Sequence, residues 1–271
     1  MRGRLVRLLS LGFGRHFEPQ RNRRACHQMM QSIARRVAAG LAAAVRDKVA
    51  KEAEELCASG QCAAAVVPLQ RAIDFGDFTS LALKAWFLIE GRESIAKDEQ
   101  RGFELAEEGA RLGCHHCQGV LAYCYLFGYG CRKDAAQSLE LARESSGRGS
   151  RCGQHTLGDL HYHGAGGLAE DHAQAVALYR LAAAQGLDEA QYWLGYMYHY
   201  GCGVAQDRAE ALRWFQLAAA QGHPEALYFV AAFHERGWGV AADVAEAIRW
   251  YRRAQAAGFT AAASALKSLR A

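Results

Sequence analysis

The sequence predicts an all-α protein built from repeated helical hairpins, and three observations predict it. Good helix formers, alanine above all, dominate a chain of 271 residues with only 3 prolines, and runs of β-branched residues are scarce. The stretch beginning at Glu189 aligns without gaps on the one beginning at Glu225, at a period of 36, and 16 of 36 positions are identical. Within each period a pair of glycines separates two segments of helical apolar spacing. With 51% of residues hydrophobic and 22% charged, the composition is that of a globular chain.

Taken in order, the first segment of a unit puts Ala190, Leu194, Gly195 and Tyr198 on one helical face. The second does the same with Ala211, Leu212, Phe215, Ala218 and Ala219, and Gly222 ends it, because glycine tolerates the left-handed conformation there. Small residues at Gly195, Ala211 and Ala218 let the paired helices approach closely. Such a hairpin cannot bury its apolar face alone, so its neighbours must stack on it.

The paired glycines raise the question of a phosphate loop. Gly201 and Gly203 return as Gly237 and Gly239, and occur earlier as Gly164 and Gly166 and as Gly128 and Gly130. A dinucleotide loop follows a strand and occurs once, and its third glycine position is Gln206 here. The repeated pair is therefore a turn, where glycine supplies positive φ at little cost. Asp134, Asp171, Asp207 and Asp243 then stand at the start of the second helix of each unit, as caps for free backbone N–H groups. An earlier unit keeps Asp98 and Gly113 without the double glycine, and a weaker half-unit spans Leu56 to Asp77.

These residues resemble the Sel-1-like repeat, a relative of the tetratricopeptide repeat. Ala190, Leu194, Gly195, Tyr198, Gly201, Gly203, Val204, Asp207, Ala211, Trp214, Ala218, Ala219 and Gly222 match its pattern, whereas Phe215 and Glu210 depart from it. The resemblance runs from about Phe78 to Phe259. It implies a right-handed α-solenoid serving as a protein-binding scaffold or adaptor, with no cofactor. Relatives act in membrane-protein degradation complexes, cell-wall signalling or mitochondrial assembly. Cysteine-rich relatives carry one disulfide per repeat and have been credited with hydrolytic activity. The cysteines here do not recur with the period, which sets this chain apart from that branch.

The expected organisation is a basic N-terminal segment over 1–27, a capping helix and degenerate first repeat over 28–77, the solenoid over 78–260 and a capping helix over 261–271. Ten arginines and a single acid, Glu18, lie between Met1 and Arg46, so the rest of the chain is net acidic despite an overall charge of +4. No basic stripe crosses the folded body, which disfavours nucleic-acid binding. No stretch approaches the ~20 apolar residues that span a bilayer. The acid-poor, Arg-rich start fits either a flexible basic tail, with the protein intracellular and cytoplasmic, or a mitochondrial transit peptide on an organelle-targeted assembly factor.

The first helix of each unit is expected to line the concave face of the solenoid. Positions left free by the core pattern are Tyr192, Tyr196 and His199, then Tyr228, Ala232 and Glu235. The earlier units offer His155, Asp159 and Tyr162, and before them Tyr123 and Leu126. Aromatic and histidine side chains grouped in this way suit recognition of a peptide. The alternative is that they pack between stacked units.

Cys114-His115-His116-Cys117 is the one dense ligand-like cluster. Cys114 and Cys117 would supply half of a zinc site, but no second C-x-x-C exists, and Cys117 occupies the small-residue position of Ala190 and Ala226. A redox dithiol is expected in a βαβ context, which this sequence lacks. His161 and His163 beside Asp159 suggest an acid–base pair, yet His161 shares a column with Tyr125 and Tyr198. No nucleophile elbow occurs, so no enzyme is expected.

Overall fold

The computed structural model of the chain describes residues 43–44, 47–53, 55–56, 62–74, 77–91 and 95–269. The chain divides into two units, 1–45 and 46–271. Of the first, only residues 43–44 are described, and both are helical. The basic segment 1–27 and the beginning of the expected capping helix thus lie outside the described residues.

Among the described residues the second unit is helical throughout, without strands. Residues 47–53 are helical, and α1 follows at Cys62–Asp74. Five hairpins come next: α2 (Phe78–Glu90) with α3 (Glu99–Arg111), α4 (His115–Phe127) with α5 (Ala135–Gly147), α6 (Arg151–His163) with α7 (His172–Ala184), α8 (Asp188–Tyr200) with α9 (Arg208–Ala220), and α10 (Pro224–Arg236) with α11 (Val244–Ala256). A short α12 (Ala261–Ser268) buries Ala262 and Leu266 against the last hairpin.

The turn chemistry follows the sequence pattern. Asp134, Asp171, Asp207 and Asp243 each accept a backbone N–H from the third residue beyond, at 3.0, 2.9, 3.0 and 2.9 Å. Asp98 does the same for α3 at 3.0 Å. Each such bond satisfies one of the free donors at a helix start. The first helices end at left-handed glycines, Gly91, Gly128, Gly164, Gly201 and Gly237.

The second glycine of each pair has a further duty. Gly203 has φ +65°, and a Cβ on it would run into the His172 backbone at the start of α7. A Cβ on Gly239 would sit 2.8 Å from the backbone of Arg208 and Ala209 at the start of α9. Each elbow therefore rests on the backbone of the preceding second helix, and only glycine fits both the dihedral and the contact.

Inside each hairpin the two helices meet through complementary residues. Ala85 faces the core with Ala106, and Ala122 with Ala142, all with no exposure. Where the second helix carries a ring instead, the first gives way. A Cβ on Gly158 would lie 2.7 Å from the Tyr179 ring, and one on Gly195 2.7 Å from Phe215. Burying each ring stabilises by about 1.5–3 kcal/mol.

Spacing between hairpins changes along the solenoid. α4 packs on α2, and α6 on α4. The α4–α6 contact is backbone on backbone, since a Cβ on Gly119 would collide with the Gly153 nitrogen. The register of Gly119 is occupied by His155 in α6 and Tyr192 in α8. There the first helices, α8 and α10, rest chiefly on the preceding second helices, α7 and α9. Larger side chains act as wedges, so aromatic surface accumulates between first helices in the C-terminal half.

Candidate partner-binding surface

A continuous ladder of rings runs along the first helices, with Tyr179 of α7 and Trp238 of the last elbow among its members. Trp86 meets Tyr123 at 4.6 Å between centroids, Tyr123 meets His155 at 5.8 Å, and His155 meets Tyr179 at 5.6 Å. Tyr179 stacks near Trp193 at 6.1 Å, which meets Tyr196 at 5.5 Å, and Tyr196 meets Tyr200 at 4.5 Å. Tyr200 contacts His199 at 4.5 Å, and His199 contacts Trp238 at 4.9 Å. The ladder begins buried and ends exposed: Trp86 is 1% exposed and Tyr200 53%. Trp193, Tyr196 and Trp238 are half-buried between these extremes.

The exposed end is flanked by cations. Arg208 and Arg236 sit over the Trp238 ring at 5.0 and 4.6 Å from its centroid, within cation–π range. Burial, then the same two arginines, holds His199 below the ordinary imidazole pKa. His199 is thus a neutral ring near pH 7, and the positive charge here belongs to the arginines.

The polar and aromatic groove positions read from the sequence fall into two sets. Tyr162, Tyr192, Tyr196, Tyr228 and Glu235 are half-buried. Tyr123, His155, Asp159 and His199 are buried, at 7%, 1%, 1% and 5% exposure. These four pack between hairpins and form the floor of the surface rather than its contact layer. Burial raises Tyr162 to about 12, so its hydroxyl stays protonated. Tyr192 stacks on His223 at 4.7 Å, and Glu235 accepts the Tyr251 hydroxyl at 2.6 Å. Ala232 is buried as well.

Trp193, Tyr200 and Trp238 are not among the positions that the sequence pattern singles out. Trp193, Tyr196 and Tyr200 recur at spacings of three and four, a single helical stripe. It shares Tyr196 with the stripe of Tyr192, Tyr196 and His199 and is turned from it by roughly 65° around the helix. Trp238 stands between the paired glycines of the last elbow, and that elbow folds it back onto α8.

The repeat family is identified by a family model described as Sel1 repeat, which matches residues 81–114, 115–150, 153–187, 188–223 and 224–259. The chain belongs to the Sel1 repeat family. Sel1 repeats typically mediate protein–protein interaction and are generally non-catalytic scaffolds. Among solved structures, a Sel1 repeat protein from Oxalobacter formigenes is similar at 24% identity and a TM-score of 0.56, over 81% of this chain and 89% of that one. A protective antigen present in uropathogenic Escherichia coli strains, displaying an SLR fold, is similar at 23% identity and a TM-score of 0.53, over 82% of this chain. The match spans 50% of that longer antigen. Both likenesses concern the fold. The search of curated proteins finds no match.

Within the third Sel1 repeat, Asp159 is fully enclosed. It accepts the Tyr179 hydroxyl at 2.7 Å, and His155 Nδ1 lies 3.5 Å from its other oxygen. Burial raises its pKa, and His155 and the Tyr179 hydrogen bond oppose the rise. The acid–base pair suggested by His161 and His163 is not assembled, because Asp159 turns to Tyr179 and His155. Among the described residues, no group of three or more His, Cys, Asp or Glu side chains is placed to hold a metal ion. Also among the described residues, no helix is long and apolar enough to cross a membrane. Cys114 and Cys117 lie together at the start of α4, where the second Sel1 repeat begins.

Proposed function

We propose that this Sel1 repeat chain is a protein-binding scaffold whose contact surface is the exposed end of the aromatic ladder. Trp193, Tyr196 and Tyr200 offer amphipathic rings, Trp238 closes one side, and Arg208 and Arg236 add positive charge. A partner segment carrying apolar side chains with an acidic residue beside them complements that set. Rings of this kind bind with little loss of rotamer entropy, and aromatic and arginine side chains dominate binding hot spots.

The observation that carries the reading is the 53% exposure of Tyr200 at the end of a ladder whose other rings are packed. Tyr196 and His199 hold it from behind, so a partner meets a preorganised surface and pays little ordering entropy. The test places a photo-crosslinking amino acid at Tyr200, and separately at Leu217, an exposed residue of the second helix α9. A protein crosslinked from Tyr200 in extract, absent from the Leu217 reaction and lost in Tyr196→Ala, supports the reading. Equal crosslinking from both positions contradicts it.

A further inference from the structure

Away from the aromatic surface, the start of α4 holds a pair of thiols arranged unlike the other cysteines among the described residues. Cys114 is the N-cap of α4, and its sulfur accepts the Cys117 N–H at 3.3 Å. Both thiols donate to the Phe78 carbonyl, Cys114 at 3.4 Å and Cys117 at 3.6 Å. The two side chains also hydrogen-bond each other directly. Cys114 lines an open concavity of about 340 Å³, with His115 and His116 beside it and Asp77, Phe78 and Leu112 opposite. Arg148, which donates to the Gly113 carbonyl at 3.1 Å, brings a guanidinium to this opening. Cys117 has no exposed surface and packs behind Cys114, close to Gly109.

We propose that Cys114 and Cys117 form a thiol–disulfide exchange site for a small-thiol disulfide of the glutathione class. The concavity matches a small-molecule site in size, and Arg148, bonded to the Gly113 carbonyl at its rim, offers a guanidinium to a carboxylate of an acidic thiol. Cys114 is the attacking group because it faces the concavity, and Cys117 is the resolving group because it lies behind.

The electrostatics agree with this division. The hydrogen bond to Cys117 and the backbone N–H groups at the helix start lower Cys114 to about 7, as helix N-termini do for thiols. The same pairing and burial raise Cys117. Burial raises Cys152 to about 11 and also raises Cys131.

In the exchange, the Cys114 thiolate attacks one sulfur of the substrate. The substrate S–S bond breaks, a mixed disulfide forms on Cys114, and one thiolate leaves and takes a proton from solvent. Cys117 then gives its proton to solvent and attacks the Cys114 sulfur, releasing the second thiolate. The two cysteines lose two electrons, and one disulfide is reduced to two thiols. No cofactor enters the balance.

The test uses the full reduced chain at pH 7. Peptide-level mass spectrometry after brief iodoacetamide treatment is expected to show Cys114 alkylated at least tenfold faster than Cys131, although Cys131 is the more exposed. With glutathione disulfide, the parent is expected to lose two hydrogens across Cys114 and Cys117. Cys117→Ala, which introduces the residue found at Ala190 and Ala226, is expected to keep its helicity and to accumulate a glutathione adduct on Cys114. Cys114 reacting no faster than Cys131, a pair left reduced by glutathione disulfide, or a Cys117→Ala chain without the adduct would each overturn the proposal.

Discussion

The Tyr179 hydroxyl donates to Asp159 across the third hairpin at 2.7 Å, and both residues are buried at its centre. This bond ties the second helix α7 to the first helix α6 from within the aromatic ladder. The last hairpin repeats the device with other residues, the Tyr251 hydroxyl donating to Glu235 at 2.6 Å. A tyrosine on the second helix thus finds a carboxylate on the first, and its buried hydroxyl is satisfied.

The raised pKa of Asp159 carries a pH dependence. The folded chain holds a proton that the unfolded chain has already released, so this residue's contribution to stability falls as pH rises from the ordinary carboxylate range through the raised value. Asp159→Asn keeps an acceptor for Tyr179 and removes the titration. The stability of Asp159→Asn relative to the parent is expected to increase with pH between 4 and 8 in urea unfolding. A pH-independent difference contradicts the assignment. Asp159→Ala, which strips the acceptor, is expected to cost about 1–3 kcal/mol.

Close approach of the paired helices gives a second prediction. Gly195→Ala directs a methyl group into the Phe215 ring, and overpacking of this kind costs about 1–3 kcal/mol. Adding Phe215→Leu is expected to recover part of that loss, so the double change costs less than the two single changes summed. Strict additivity in a double-mutant cycle contradicts the packing account.

The recurring caps give a third. Asp207→Ala removes the carboxylate that accepts the Glu210 N–H at 3.0 Å and is expected to cost about 1 kcal/mol. Asp207→Asn keeps an acceptor and is expected to cost less. Thermal melts of the two variants check the order.

The period and its hairpins were legible because a solenoid writes the same contacts repeatedly. Gly201, Gly203 and Asp207 recur as Gly237, Gly239 and Asp243. What the period hides is variation at one register. Gly119, His155 and Tyr192 share a column, yet the first lets two backbones touch and the others hold first helices apart. No single unit shows that consequence, because it arises between units. The exposure of the expected groove residues was hidden for a related reason. Freedom from the core pattern of one hairpin is visible in the sequence, whereas exposure is set by the neighbouring hairpin and its elbow. His199 therefore lies beneath Trp238, and Tyr200 beside it remains open. The capping role of Cys114 was hidden as well, since Ser150 and His223 serve that position in other units.

The central claim is that the exposed end of the ladder is where a partner binds. The most direct measurement is the dissociation constant of the protein crosslinked at Tyr200, compared between the parent and Tyr200→Ala with circular dichroism matched. Loss of an exposed anchoring ring is expected to weaken binding at least tenfold, about 1.4 kcal/mol. An unchanged dissociation constant in a variant that remains folded would contradict the account.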